Sequence, residues 1–97
     1  MTSRWIVPLI FLSTAAWAQM PARDVIPTAE VAIQIARAVL TPIYGDETIR
    51  NEEPLTAELH GDEWEVSGTL PAGRSGGIAE ISIKKADGRI VRIFHGR

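Results

Sequence analysis

Ninety-seven residues allow one small domain and leave no room for a second core. The chain has no cysteine, which excludes disulfide staples, thiolate metal ligands and a thiol nucleophile. Its formal charge of −2 lacks the cationic surplus on which nucleic-acid affinity depends, and a mildly acidic surface suits a basic partner better.

Residues 1–4 form a short basic stretch, residues 5–12 an apolar one, and Ala16-Trp17-Ala18 has the small-x-small pattern of a cleavage site. Together they predict a secretory signal peptide over residues 1–18, cleaved after Ala18, and a periplasmic or secreted product. The alternative is an uncleaved anchor, because no charge falls between Trp5 and Ala22. Pro8, Ser13, Thr14, Gln19 and Pro21 interrupt that run, which is marginal for the roughly 20 apolar residues a span needs. With no cysteine to carry a lipid, the cleaved chain is expected to have no stable membrane association.

Residues 19–27 read as an extended, partly mobile lead-in, and residues 28–97 as a single α+β domain. Thr28 is placed to cap a helix whose first turn carries Glu30. Ala29, Ala32, Ile33, Ala36, Val39, Leu40 and Ile43 then mark one stripe, opposite Glu30, Gln34, Arg37 and Thr41. Pro42 is expected to end or kink this helix, since proline lacks an amide hydrogen and turns its predecessor away from helical geometry. Asp46 is expected to cap one extra turn reaching Ile49 or Arg50, with Tyr44 and Ile49 closing the end of the core. Residues 51–54 read as a connector.

Strict alternation follows. Leu55, Ala57 and Leu59 share one face of a first strand, and Trp64, Val66 and Leu70 one face of a second. Gly61-Asp62 between them is a tight-turn signal that sets Leu59 opposite Trp64, Ala57 opposite Val66, Glu58 opposite Glu65 and His60 opposite Glu63. Residues 70–77 form a glycine-rich loop carrying Arg74. Ala79, Ile81 and Ile83 begin a third strand, and Ala86-Asp87-Gly88 turns it into a fourth. A bulge at that glycine would set Ile83 against Val91 and Ile81 against Ile93, leaving Ile90 and Phe94 on the outer face. The expected fold is one long amphipathic helix and a short extra turn packed on a four-stranded antiparallel meander. Its expected core is Ile33, Ala36, Val39, Leu40, Leu59, Trp64, Val66, Ile81, Ile83, Val91 and Ile93.

No catalytic constellation emerges. His60 has Ser67 and Ser82 as conceivable partners, but no Gly-x-Ser-x-Gly elbow is present. His60, Glu58 and Glu63 have the right types for a metal, but His95 is far along the chain and no second imidazole lies nearby. No Walker lysine and no helix follow the glycine-rich loop. The reading is of a chain that is not an enzyme and takes neither cofactor nor metal. What remains is binding.

One family does share the order and spacing of Pro27-Thr28-Ala29-Glu30-Val31-Ala32-Ile33-Gln34-Ile35-Ala36, Pro42-Ile43-Tyr44-Gly45, Trp64-Glu65-Val66-Ser67-Gly68-Thr69-Leu70-Pro71, Gly76-Gly77 and the ending from Lys85 through Asp87-Gly88-Arg89 to His95-Gly96. The chain resembles small bacterial immunity proteins of nuclear-transport-factor-two, or cystatin-like, fold. The resemblance implies a stoichiometric antidote to a cognate toxin of a polymorphic-toxin system, and export implies a toxin aimed at the envelope or peptidoglycan. The alternative is a cell-envelope peptide-binding or enzyme-inhibiting module of cystatin-like type. On the antidote reading the expected contacts are Glu58, His60, Glu63 and Glu65 on the wet face of the first hairpin, with Arg74 at the loop tip.

Overall fold

The computed structural model describes residues 23–96. The expected export segment, residues 1–18, and the start of the lead-in lie outside these residues. In order come α1 (Ala29–Tyr44), α2 (Asp46–Asn51), β1 (Thr56–His60), β2 (Glu63–Ser67), β3 (Ala79–Lys84) and β4 (Ile90–His95). The four strands pair antiparallel in chain order, and α1 lies across β1, β2 and β3. This is the expected α+β architecture.

Thr28 starts α1 from an extended conformation, its Oγ1 accepting a hydrogen bond from the Val31 amide at 3.3 Å. The side chains α1 buries completely are Ala32, Ala36 and Leu40, one turn apart on one face. Two alanines at the centre let the helix axis approach the sheet closely. Ile33 and Val39 flank them half-buried, whereas Ile43 is exposed, so the apolar stripe ends a turn before the expectation. Pro42 does not end the helix, which runs on through Tyr44. A proline this near the terminus forfeits one hydrogen bond only, and the last turn is closed by the Gly45 amide donating to the Thr41 carbonyl at 2.8 Å. Gly45, at φ 100°, makes the corner into α2. Asp46 pairs with Arg50 one turn on at 3.0 Å and does not cap.

The first hairpin has the expected register, with Gly61 at φ 64° in its turn. The last hairpin differs. Ile81 does face Ile93, but Ile83 faces Ile90, because the register shifts by one residue between Ser82 and Ile83. Gly88 takes the expected positive φ, yet the irregularity falls farther along, at Val91. Val91 therefore leaves the core and is exposed, while Ile90 stands across from a core residue.

The core contains one residue that periodicity passed over. Ile26, in the lead-in, is completely buried. Its amide donates to the Lys85 carbonyl at 3.1 Å, the Val25 amide donates to Ala86 at 3.0 Å, and the Trp64 indole donates to the Ile26 carbonyl at 2.8 Å. Two apolar residues, Val25 and Ile26, between Pro21 and Pro27 are too short a run to carry a period, so only tertiary pairing could reveal this strap. Its presence at the Trp64 end of the sheet closes the core there, and Leu59, expected inside, is 47 % exposed on edge strand β1. Ile49 and Leu55 are buried, and Tyr44 packs against the cluster, closing the opposite end.

Candidate interaction surfaces

Pairing along the sheet brings Glu58, His60, Glu63 and Glu65 together on the face away from α1. Glu58 stands across from Glu65 and His60 across from Glu63. The His60 Nε2 lies 3.1 Å from Glu58 Oε1 and 3.6 Å from Glu65 Oε1. Their proximity would cost stability if nothing offset it, since like charges on paired strands repel. The offset comes from β3 and β4. Lys84 Nζ lies 3.0 Å from Asp62 and 3.4 Å from Glu63, and its hydrogen bond holds the Asp62 carboxyl below its usual range while raising its own pKa. Arg92 donates to Ser82 Oγ at 2.9 Å and lies 4.0 Å from Glu65. The face is therefore mixed in charge, because the β2–β3 pairing sets Lys84 directly across from Glu63.

Arg74 sits elsewhere. It belongs to the loop between β2 and β3, where Gly73 and Gly76 take positive φ and the Arg74 amide donates to the Pro71 carbonyl at 3.1 Å. Among the described residues it forms no ion pair, and it lines a shallow cleft of about 170 Å³ with Thr48, Asn51, Glu52 and Ser75. That volume is below the few hundred Å³ typical of small-molecule sites and fits one side chain of a partner.

The cleft's floor holds the group that sequence reasoning missed. Glu52, read as part of a connector, is 5 % exposed. Its Oε1 accepts from the Ala79 amide at 2.7 Å and its Oε2 lies 2.7 Å from His95 Nε2. The other ring nitrogen, Nδ1, lies 2.8 Å from the Gly96 carbonyl. Two acceptors facing the two nitrogens favour the imidazolium, and the His95 pKa is accordingly raised, first by the Glu52 hydrogen bond and then by the Gly96 carbonyl. Tyr44 stacks at a tilt on the ring, with centroids 5.1 Å apart. The Glu52 carbonyl accepts from the Thr69 amide at 2.7 Å, so one residue ties the end of α2 to the β2–β3 loop, the start of β3 and the end of β4. The absence of a side chain at Gly68 makes this possible, because a Cβ there would collide with the Glu52 side chain. Nothing local announces the pair, since its members are 43 residues apart.

Among the described residues no group of three or more His, Asp or Glu side chains is placed to hold a metal ion. A helix on a four-stranded meander with a mixed-charge outer face fixes the architecture without naming its lineage. A family model described as "NTF2 fold immunity protein" matches residues 31–97. The chain belongs to this immunity-protein family. Two Escherichia coli (strain K12) proteins are similar to it, named "Uncharacterized protein YhhH" and "Uncharacterized protein YbbC". Each is 29 % identical over 76 residues, covering 77 % of this chain and 60 % and 62 % of the respective relative. The chain thus spans about three-fifths of the length of the curated relatives it matches. No solved structure matches it. The family match spans everything from the first turn of α1 through β4, so the Glu52–His95 pair and the mixed-charge face both fall within it.

Proposed function

We propose that this NTF2-fold immunity protein is exported and neutralises a cognate toxin in the periplasm by binding it stoichiometrically. Membership of the immunity family is the observation that carries the reading. The signal-peptide pattern ending at Ala16-Trp17-Ala18 supports the location, and an antidote must meet its toxin where the toxin acts, so the target is the envelope or peptidoglycan. Occlusion and not turnover is the mode, carried by Glu58, His60, Glu63 and Glu65 on the sheet, with Arg74 at the cleft as a separate contact.

Co-expression with the product of a toxin-like reading frame directly upstream tests the function, with growth rescue as the expected outcome. Persistent growth arrest despite full expression of the chain would remove it. Fractionation tests the address: a cytoplasmic protein still carrying residues 1–18 would overturn the periplasmic reading. For the contacts, the double variant Glu63→Lys, Glu65→Lys is expected to lose capture of that toxin in a pull-down while melting cooperatively. Capture equal to wild type would remove the acidic face from the interface.

A further inference from the structure

Among the described residues strand β4 ends the sheet, with β3 on one side and no strand on the other. The hydrogen-bond phase follows from its flanks: the Lys84 amide donates to the Arg89 carbonyl at 2.8 Å and the Gly96 amide to the Ile78 carbonyl at 3.1 Å. Alternation then directs the main-chain groups of Arg92 and Phe94 toward β3 and those of Ile93 and His95 toward the open edge. The strand is also apolar where it meets solvent, with Ile90 at 40 %, Val91 at 41 % and Phe94 at 44 % exposed. Sheet edges are commonly blunted by charge or covered. Here the bulge at Val91 breaks the pairing surface at one end only, and Arg92 to His95 continue as regular strand.

Charge decides what this edge can accept. Between Arg89 and Gly96 the chain carries Arg89 and Arg92 and no acidic residue, while His95 is already paired with Glu52. The Arg92 side chain is half-exposed, and Arg89 forms no ion pair among the described residues. A second copy would bring this cationic strand against another like itself. The opposite edge, β1, carries Glu58 beside its exposed Leu59 and would repel an acidic strand. We propose that β4 is a docking edge that takes an extended segment of the toxin, alternating acidic and apolar residues, as a fifth strand of the sheet. The proposal rests on the toxin-neutralising reading for the identity of its partner. Main-chain bonds at Ile93 and His95 supply the attachment, Ile90 and Ile93 the apolar contact on the face that α1 covers, and Arg89 and Arg92 the preference for carboxylates on the outer face.

The test uses the cleaved chain and two fluorescein-labelled synthetic peptides, one alternating Glu and Val, the other Lys and Val. The acidic peptide is expected to bind in an anisotropy titration at least about tenfold more tightly than the basic one. It is expected to slow amide exchange at Ile93 and His95. The double variant Arg89→Glu, Arg92→Glu, whose melting is checked against wild type, reverses the order of the two peptides. Equal affinity for both peptides, binding of neither, unchanged affinity in the charge-reversed variant, or protection at Ala57 and Leu59 of β1 each overturns the proposal. So does sedimentation as a dimer whose Ile93 and His95 amides are protected without peptide, which assigns the edge to a second copy. Growth rescue by the charge-reversed variant equal to wild type removes β4 from the toxin interface and leaves the immunity function standing. Peptide binding at β4 with no rescue of any toxin by the wild type does the opposite, keeping the edge and removing the toxin from it.

Discussion

Replacing Glu52 with alanine removes the carboxylate that ties the end of α2 to the start of β3 and the end of β4. Its truncation leaves the Ala79 amide, paired at 2.7 Å in the intact protein, buried without an acceptor, at a cost of about 1–3 kcal/mol. It also strips the counter-charge from His95. Breaking a buried pair from one side costs about 3–5 kcal/mol, and the lower end applies because His95 keeps 26 % of its side chain in solvent and can shed its proton. The two losses share one carboxylate and do not add in full, so about 3 kcal/mol is expected for Glu52→Ala. A domain of this length holds about 4–11 kcal/mol in all, and each kcal/mol is about 4–8 °C of melting temperature. Glu52→Ala should therefore melt about 12–24 °C below wild type. Glu52→Gln keeps a carbonyl for Ala79 and offers an N–H to a neutral His95 ring, so its loss should be about 1 kcal/mol. Urea unfolding followed by tryptophan fluorescence measures both, since Trp64 is the only tryptophan after Trp17 and lies in the core. An alanine variant within about 0.5 kcal/mol of wild type, or a glutamine variant as unstable as the alanine one, would refute the reasoning.

Folding raises the pKa of His95, so its stabilising effect is complete below the ordinary histidine value of about 6.5 and disappears as pH climbs through the raised one. The difference in unfolding free energy between wild type and His95→Gln should shrink from pH 6 toward pH 9 in parallel urea titrations; a difference that stays constant across that range contradicts the assignment. Gly77→Ala places a methyl group on the Gly96 backbone, so the end of β4 must move. A stability loss of about 1–3 kcal/mol is expected, with faster amide exchange at Gly96, and wild-type exchange there would show that the contact is slack.

Periodicity made most of this fold legible before any coordinates. Alanine and leucine at helical spacing, two strands alternating around Gly61-Asp62, and two more around Asp87-Gly88 are local signals, and each became the element it predicted. The misreadings share one cause. Whether Val91 or Ile90 faces Ile83, whether Leu59 is covered, and whether Ile26 matters are all settled by what packs from a distant part of the chain. The same holds for the surfaces. Glu58, His60, Glu63 and Glu65 could be grouped from one hairpin's register, because a two-residue turn ties neighbours in sequence to neighbours in space. Lys84, Arg92 and the separate position of Arg74 could not, because they depend on how β3 and the long loop return.

By itself the sequence determined the element types, their order, the first hairpin's register and the absence of thiol chemistry, since each follows from side-chain periodicity or from composition. Only the tertiary structure decided that Glu52 is a buried junction whose partner His95 has a raised pKa and that β4 is, among the described residues, an unpaired edge with exposed apolar side chains. The reason is that burial and charge pairing belong to contacts across tens of residues, and no window along the chain spans both members.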